Sequence, residues 1–256
     1  MGNNQELVLS INELLFLASE AGAPEFFGVG DPFFYMSVEQ IRSTFENAAA
    51  YLDKKGYVEM DFEGNIRISE EVLALIRPCA FCSAYLTIEN GSSKEREIYY
   101  FAEDILVKLW KCEDGWHLKR ANREEELTNL CNRYDSDVYN IMTPKMKVSS
   151  KQLKKLKKAV INQEDEEQKQ ILESLESDEM RTVLLDIVSE EAEITSVIRS
   201  DFVSETVCSL LYINTEHGAI LVSESDEKWT DDWYLEQASQ ERMKSELERM
   251  LVGISA

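Results

Sequence analysis

A pair of cysteines, Cys79 and Cys82, has the spacing of a metal-binding or redox motif. A zinc ribbon needs a second such pair, and no second pair follows in the sequence. A thiol–disulfide motif belongs in a turn that follows a strand, whereas this pair follows a predicted helix and precedes a predicted strand. The sequence therefore predicts that both cysteines are buried packing residues.

The two histidines, His117 and His217, are the other candidate ligands. They lie far apart, and neither has metal-ligand spacing to a cysteine or to the other histidine. His117 belongs to the phrase "DGWHLKRANREEE", and a similar phrase, "DDWYLEQASQERM", begins at Asp231 with Tyr234 in place of the histidine. We therefore interpret both histidines as ordinary surface or sheet residues, and we predict no metal, no cofactor and no catalytic residue.

The remaining motifs do not combine into an active site. The sequence has no Gly-x-x-x-x-Gly-Lys phosphate loop and no Gly-x-Ser-x-Gly nucleophile turn. One basic amphipathic stretch, "LKKLKKAV" from Leu153 to Val160, could bind a membrane or an acidic helix. Acidic residues follow it in "NQEDEEQ", so we interpret it as a solvated helix face. The sequence predicts a protein that is not an enzyme.

The overall charge restricts the possible partners. The chain of 256 residues has 49 acidic and 27 basic residues, which gives a net charge of −22. Such a field repels the phosphates of nucleic acids and of anionic membranes, so neither is an expected partner. The first residues lack a signal-peptide pattern, no stretch reaches the roughly 20 apolar residues of a membrane helix, and the five cysteines lack framework spacing. These features predict a cytoplasmic location.

Helices are predicted at the start of the chain. Ser10 and Glu13 have the spacing of a capping box, and an apolar stripe of helical period follows them. The same box recurs at Ser37, and a third helix is predicted to begin at Ser69. Between the first two helices, "FFGVGDPFF" is predicted to be an irregular aromatic connector.

A meander of strands is predicted next, because four β-branched or aromatic runs are separated by turn residues: "AYLTIEN", "REIYYFA", "ILVKLWK" and "WHLKRA". A helix capped by Asn122 follows. After Ser149 the pattern is helical for about 40 residues. Strand-like runs then return in "ITSVIR", "TVCSLLYIN" and "GAILVSE", and a final helix is predicted over 240–251.

The order of elements repeats within the chain. Leu9-Ser10 corresponds to Val148-Ser149 at the start of each half. At the far end of each half a Trp-x-Leu segment precedes a helix, and its period of two places the tryptophan and the leucine on one face. We predict that these residues are core positions of a repeated unit: Trp116, Leu118, Trp233 and Leu235.

The repeat predicts an α+β fold of two pseudo-two-fold-related helix–meander–helix halves. The predicted halves are 1–134 and 149–256, with a linker at 135–148. Four strands alone would leave exposed sheet edges in each half. We therefore expect the halves to share one central, mainly antiparallel sheet that is covered by helices, so that the whole is one merged domain.

Three stretches of the first half resemble the EspG family, the cytosolic chaperones of type VII (ESX) secretion: "LSINELLFLASEAGA", "YLDKKGYVEMDFEGNIRISEEVLALIRPCAF" and "GWHLKRA". The positions that carry the resemblance are Leu52, Gly56, Gly64, Leu73, Pro78 and Trp116. In the second half, "LLYINTEHGAILVSESDEKWTDDWYLEQAS" is similar to the family's Asp-Thr-x-x-Gly strand turn, with Asn214 replacing the aspartate. The resemblance covers nearly the full length.

The resemblance implies a pseudo-two-fold α+β fold and a binding function. Family members hold a secreted helical protein in the cytosol until export, and the mycobacterial members bind PE–PPE pairs. The lysine- and glutamate-rich composition looks like that of a divergent, low-GC Gram-positive member, so the expected client is a secreted helical protein of the WXG or LXG type. The expected contact residues are Leu172, Leu175 and the meander loop around Gly91, and the oligomeric state stays open.

An alternative function is a structural or regulatory protein-interaction module. The stretch "AAAYLDKKGYVEMDFEGNIRI" has the helix-then-hairpin order of a winged helix. Acidic residues such as Asp61 and Glu63 stand where a DNA-binding wing would need lysine or arginine. DNA binding through this winged-helix-like part is therefore not expected.

Overall fold

The computed structural model describes residues 6–23, 25–134, 146–173, 178–188, 192–215, 218–224 and 232–252. Its helices are α1 Ile11–Glu20, α2 Val38–Lys54, α3 Glu70–Ala80, α4 Arg123–Arg133, α5 Ser150–Ile161, α6 Asp165–Glu173, α7 Asp178–Val188 and α8 Gln240–Val252. Its strands are β1 Glu6–Leu9, β2 Val58–Met60, β3 Ile66–Ile68, β4 Ala84–Asn90, β5 Arg96–Ala102, β6 Ile105–Cys112, β7 Gly115–Ala121, β8 Met146–Ser149, β9 Glu193–Asp201, β10 Thr206–Thr215, β11 Gly218–Glu224 and β12 Asp232–Gln237.

Ten of these strands form one large sheet. Their order is β1-β7-β6-β5-β4-β9-β10-β11-β12-β8, and β2 and β3 form a separate two-stranded sheet. The prediction of an α+β fold with a large, mainly antiparallel sheet is confirmed.

The chain divides into two compact units. The first unit contains Met1–Thr87, Glu95–Glu125 and Arg199–Val207, and the second contains Ile88–Lys94, Glu126–Ile198 and Cys208–Ala256. Most of the predicted linker, 135–145, lies outside the described residues, so the predicted division at 135–148 stays a prediction. Strand β8 begins at Met146, at the end of that predicted linker.

In the first unit, α1, α2 and α3 pack with the strands around one apolar core. Helix α1 begins at the predicted capping box, where Ser10 accepts a hydrogen bond from the Glu13 backbone and Glu13 accepts one from the Ser10 backbone. Its apolar stripe buries Leu14 and Leu17 completely because positions three and four apart lie on one helix face. The strands contribute alternate residues to the same cluster, among them Leu7, Leu9, Leu109 and Leu118.

The second unit has its own core, formed by α5, α7 and the strands β8, β10, β11 and β12. Ser149 begins α5 with a capping box of its own, paired with Gln152. Leu156 from α5 and Leu184 from α7 are both 1% exposed. They pack in the same cluster as Leu235 of β12.

The two units contain the same local arrangement at the positions predicted to repeat. Leu9 of β1 lies opposite Trp116 of β7, and Val148 of β8 lies opposite Trp233 of β12. In each case the serine that follows the edge strand caps a helix with a reciprocal capping box. These correspondences support the predicted duplication, which stays a prediction.

The predicted winged-helix-like part consists of the end of α2 and the β2–β3 hairpin. Val58 of β2 pairs with Ile68 of β3 and is buried, so the hairpin packs one side on the core. Asp61 in the turn accepts hydrogen bonds from the backbone N–H groups of Glu63 and Asn65, and Phe62 beside it is fully exposed. Among the residues that the structure describes, no helix is long and apolar enough to cross a bilayer.

Candidate protein-binding surfaces

The Cys79–Cys82 pair lies where packing suppresses thiol chemistry. Cys79 is completely buried at the end of α3, and its thiol donates a hydrogen bond to the Leu75 carbonyl. Burial raises the pKa of Cys79 well above its usual value, and it raises the pKa of Cys82 to about 11. Because the thiolate is the reactive form, neither cysteine is suited to nucleophilic or redox chemistry at neutral pH.

Trp116 and Leu118 point into the core of the first unit, whereas His117 points to the opposite face of β7. Leu118 is completely buried and Trp116 packs against the same cluster. The His117 ring lies between two carboxylates, with Nε2 2.7 Å from Asp114 and Nδ1 2.5 Å from Glu6. The hydrogen bond to Asp114, together with that to Glu6, raises the pKa of His117 above its usual value. His217 lies outside the described residues.

In the second unit, Leu235 is completely buried and Trp233 packs against the core cluster. The indole N–H of Trp233 donates to the Ser150 hydroxyl at 2.6 Å. This hydrogen bond ties β12 to the first residue of α5.

The predicted contact residues differ in how far they are available to a partner. Leu172 is half-buried and packs against the core cluster of the second unit, and its carbonyl accepts a hydrogen bond from Arg181. Gly91 lies exposed in the turn after β4, where its backbone N–H donates to the Ile194 carbonyl. Leu175 lies outside the described residues. None of the three lies in the largest exposed apolar segment of the described chain.

That segment is the aromatic loop, which we define as Phe33–Val38. It presents four exposed apolar side chains, with exposures of 76% for Phe34, 94% for Tyr35, 41% for Met36 and 69% for Val38. Contiguous exposed apolar surface is typical of protein–protein contact sites. The loop is therefore the first candidate for a binding surface.

Local contacts hold the aromatic loop in place. Asp31 accepts a hydrogen bond from the Phe33 backbone, and the Phe33 ring packs edge-to-face on Phe45 at 5.4 Å between centroids. Phe45 in turn packs on Phe16 of the core. At the other end, the capping box of Ser37 begins α2. One aromatic ring thus fixes the loop while its neighbours remain accessible.

A second exposed apolar surface is the hairpin tip, which we define as Phe202–Val207, between β9 and β10. The Phe202 ring lies 4.5 Å from Phe27 and 5.7 Å from Tyr85, between ring centroids, so the tip rests on an aromatic cluster of the first unit. Val203 and Val207 remain 82% and 69% exposed.

Sequence reasoning did not identify either surface. Only Phe33 and Phe34 of the aromatic loop lay in the predicted connector, although a run of four apolar residues directly before a capping serine is more than a short connector can bury. For the hairpin tip no such signal exists, because "DFVSET" does not differ from an ordinary strand turn.

The comparisons with known proteins identify the fold. No family model matches the sequence, and no curated protein matches it. Among solved structures, the chain is similar to the type VII secretion system chaperone EspG5 of Mycobacterium tuberculosis, solved in complex with the PE25–PPE41 dimer. The TM-score is 0.64 at 9% sequence identity, and the match covers 96% of each chain. The resemblance to the EspG family is thus confirmed at the level of the fold.

Proposed function

We propose that this protein is a non-catalytic cytosolic chaperone or adaptor that binds a helical secreted substrate of a type VII-like secretion system. The observation that carries the proposal is the fold shared with a type VII secretion chaperone over 96% of both chains. That neighbour was solved with a bound PE25–PPE41 dimer. A fold alone does not define a function, so the proposal also depends on the exposed surfaces.

The aromatic loop supplies the chemistry that such a function needs. An amphipathic client helix buries its apolar face in contact with exposed apolar side chains. Covering a large side chain such as Phe34 or Tyr35 is worth about 1.5–3 kcal/mol, and the cost of association reduces the net affinity. Aromatic residues are the usual energetic centres of such contacts.

We propose further that the client is of the WXG or LXG type. The basis is composition, since the chain is rich in lysine and glutamate, which looks like a low-GC Gram-positive source. The net charge of −22 favours clients with basic flanks through long-range attraction.

The test is co-expression of the tagged protein with WXG- or LXG-type helical proteins encoded beside its gene, followed by pull-down and size-exclusion chromatography. We expect co-elution with one such client and a loss of recovered client of about tenfold or more in the Phe34→Ser/Tyr35→Ser double variant. Phe62→Ser is the matched control, because Phe62 is an even more exposed aromatic residue of the same unit. Retention of client by the double variant would remove the loop from the proposal, and failure to bind any such client would contradict the function.

The alternative function, a structural or regulatory interaction module, is favoured by one observation. The β2–β3 hairpin carries the fully exposed Phe62 in an acidic turn, where Asp61 accepts hydrogen bonds from the Glu63 backbone and the Asn65 side chain. If Phe62→Ser abolishes binding of a partner that the loop variant still binds, the hairpin is the functional surface and the alternative is the better account.

A further inference from the structure

A cluster of metal-ligating side chains lies at the β6–β7 hairpin, far in sequence from the aromatic loop. Cys112, Asp114 and His117 have ligand atoms that all lie within 4.8 Å of one another. They are one sulfur, one carboxylate oxygen and one imidazole nitrogen, which is a donor set that zinc accepts. Spacing in the sequence predicted no metal site here, but the pairing of β6 with β7 brings the three residues together. The aromatic loop and the proposed function do not use them.

Strand register places these side chains on one face of the sheet. Trp110 of β6 lies opposite His117, and Cys112 at the end of β6 lies opposite Gly115. Residues two apart on a strand share a face, so Cys112 lies on the face of Trp110 and His117. The intervening turn is only two residues long and contains Asp114, which brings its carboxylate back to the His117 ring.

Strand β1 adds a carboxylate behind the histidine. Val8 lies opposite His117, and Glu6, two residues earlier, reaches Nδ1 of the ring. A metal-binding histidine almost always donates its second ring N–H to a carboxylate, a carbonyl or a water. Glu6 is therefore positioned to orient the ring so that Nε2 faces Asp114.

We propose that Cys112, Asp114 and His117 bind a zinc-like divalent transition-metal ion, with Glu6 orienting His117. The thiol disfavours calcium and magnesium, which prefer oxygen ligands. Three protein ligands leave a fourth position for water. Lys108 and Lys119 lie nearby, over the Trp110 ring, and the net charge of −22 outweighs them in the long-range field.

Coordination replaces the direct contact between His117 and Asp114. The metal needs a thiolate at Cys112 and a free electron pair on Nε2, so binding releases protons to solvent and weakens at low pH. The bound ion would connect the hairpin turn to β7 through three side chains.

The test uses Zn²⁺ alone in isothermal titration calorimetry and Co²⁺ in absorption spectroscopy on the full chain. We expect one equivalent of Zn²⁺ to bind and Co²⁺ to give a thiolate-to-metal charge-transfer band. Cys112→Ser removes the band, whereas Cys131→Ser, the matched control, leaves it intact. His117→Tyr copies the residue at the corresponding position of β12 and removes binding, and Glu6→Gln weakens it about 10–100-fold.

The outcomes separate this proposal from a folding defect and from the proposed function. Thermal unfolding of each variant without metal shows whether it folds, and Asp114→Asn supplies a second ligand variant in the exposed turn. Absence of the band, or its survival in Cys112→Ser, overturns the site. Client capture by the metal-free protein tests the chaperone proposal separately.

Discussion

Strand β7 of the first unit and strand β12 of the second carry the same core-facing residues and different outward-facing ones. Each has a tryptophan that packs on the core and, two residues later, a completely buried leucine, Leu118 or Leu235. The residue between them is His117 in β7 and Tyr234 in β12. Close packing restricts the first face to a few side chains, whereas the second face can change its chemistry without disturbing the core.

The largest expected effect tests the packed face. We expect Leu118→Ala and Leu235→Ala each to lower the free energy of unfolding by about 2–5 kcal/mol, because each deletion leaves a cavity in a core. Chemical denaturation measures the free energy of unfolding of both variants. The control is Arg120→Ala, which removes an exposed side chain of β7 and should change that free energy by no more than about 0.5 kcal/mol. If one leucine variant lost much of the free energy of unfolding and the other almost none, the two leucines would not be equivalent core positions.

A smaller effect distinguishes the capping boxes of α1 and α5. Glu13 also forms an ion pair with Lys55 at 2.7 Å and is nearly buried, whereas its counterpart is the neutral Gln152. We therefore expect Glu13→Ala to cost about 1–2 kcal/mol more than Gln152→Ala, measured by thermal or chemical unfolding. Ser10→Ala and Ser149→Ala are the matched pair, each expected to cost about 1 kcal/mol. Equal losses for the Glu13 and Gln152 variants would mean that the ion pair adds nothing.

The smallest expected effect concerns Asp201, at the end of β9 directly before the hairpin tip. The hydrogen bond from the Ser204 backbone, aided by Arg199, holds the pKa of Asp201 below its usual value. The Asp201 carboxylate therefore stabilises the fold above the ordinary aspartate pKa of about 3.9. This stabilisation is lost as the pH falls through the lower pKa that Asp201 has in the folded protein. Because the side chain is partly exposed, we expect Asp201→Ala to cost only about 0.5–1 kcal/mol at pH 7.

The measurement is chemical denaturation of the Asp201→Ala variant and the unmodified protein at pH 7 and at pH 3. The difference between the two proteins should shrink at the lower pH. A difference that is the same at both pH values would show that the carboxylate charge does not stabilise the turn.

Local sequence patterns predicted most helices and the meander. The predicted capping boxes at Ser10 and Ser37 both form, and Asn122 accepts hydrogen bonds from the first turn of α4. The helix predicted after Ser149 also begins with a capping box. These features depend on residues within four positions of one another, so the sequence alone contains the information. The Trp-x-Leu positions follow in the same way from the period of a strand.

The edge strands β1 and β8 were not predicted, although the residues before each capping serine were matched between the halves. Each has only four residues, too few for a periodic signal. Their pairing depends on strands about a hundred positions away, such as that of Val8 with His117. Contacts of this range are fixed by the packing of the whole unit.

The sequence by itself determined where most helices and the strands of the meander begin, which strand face is apolar and that the protein is strongly acidic. Only the tertiary structure decided that Phe34 and Tyr35 remain exposed while Phe33 is held by Phe45, since burial depends on which neighbours arrive. Likewise, only strand pairing brought Glu6 beside His117. Local sequence patterns determine the direction in which a side chain points, and the tertiary structure determines which residues it contacts.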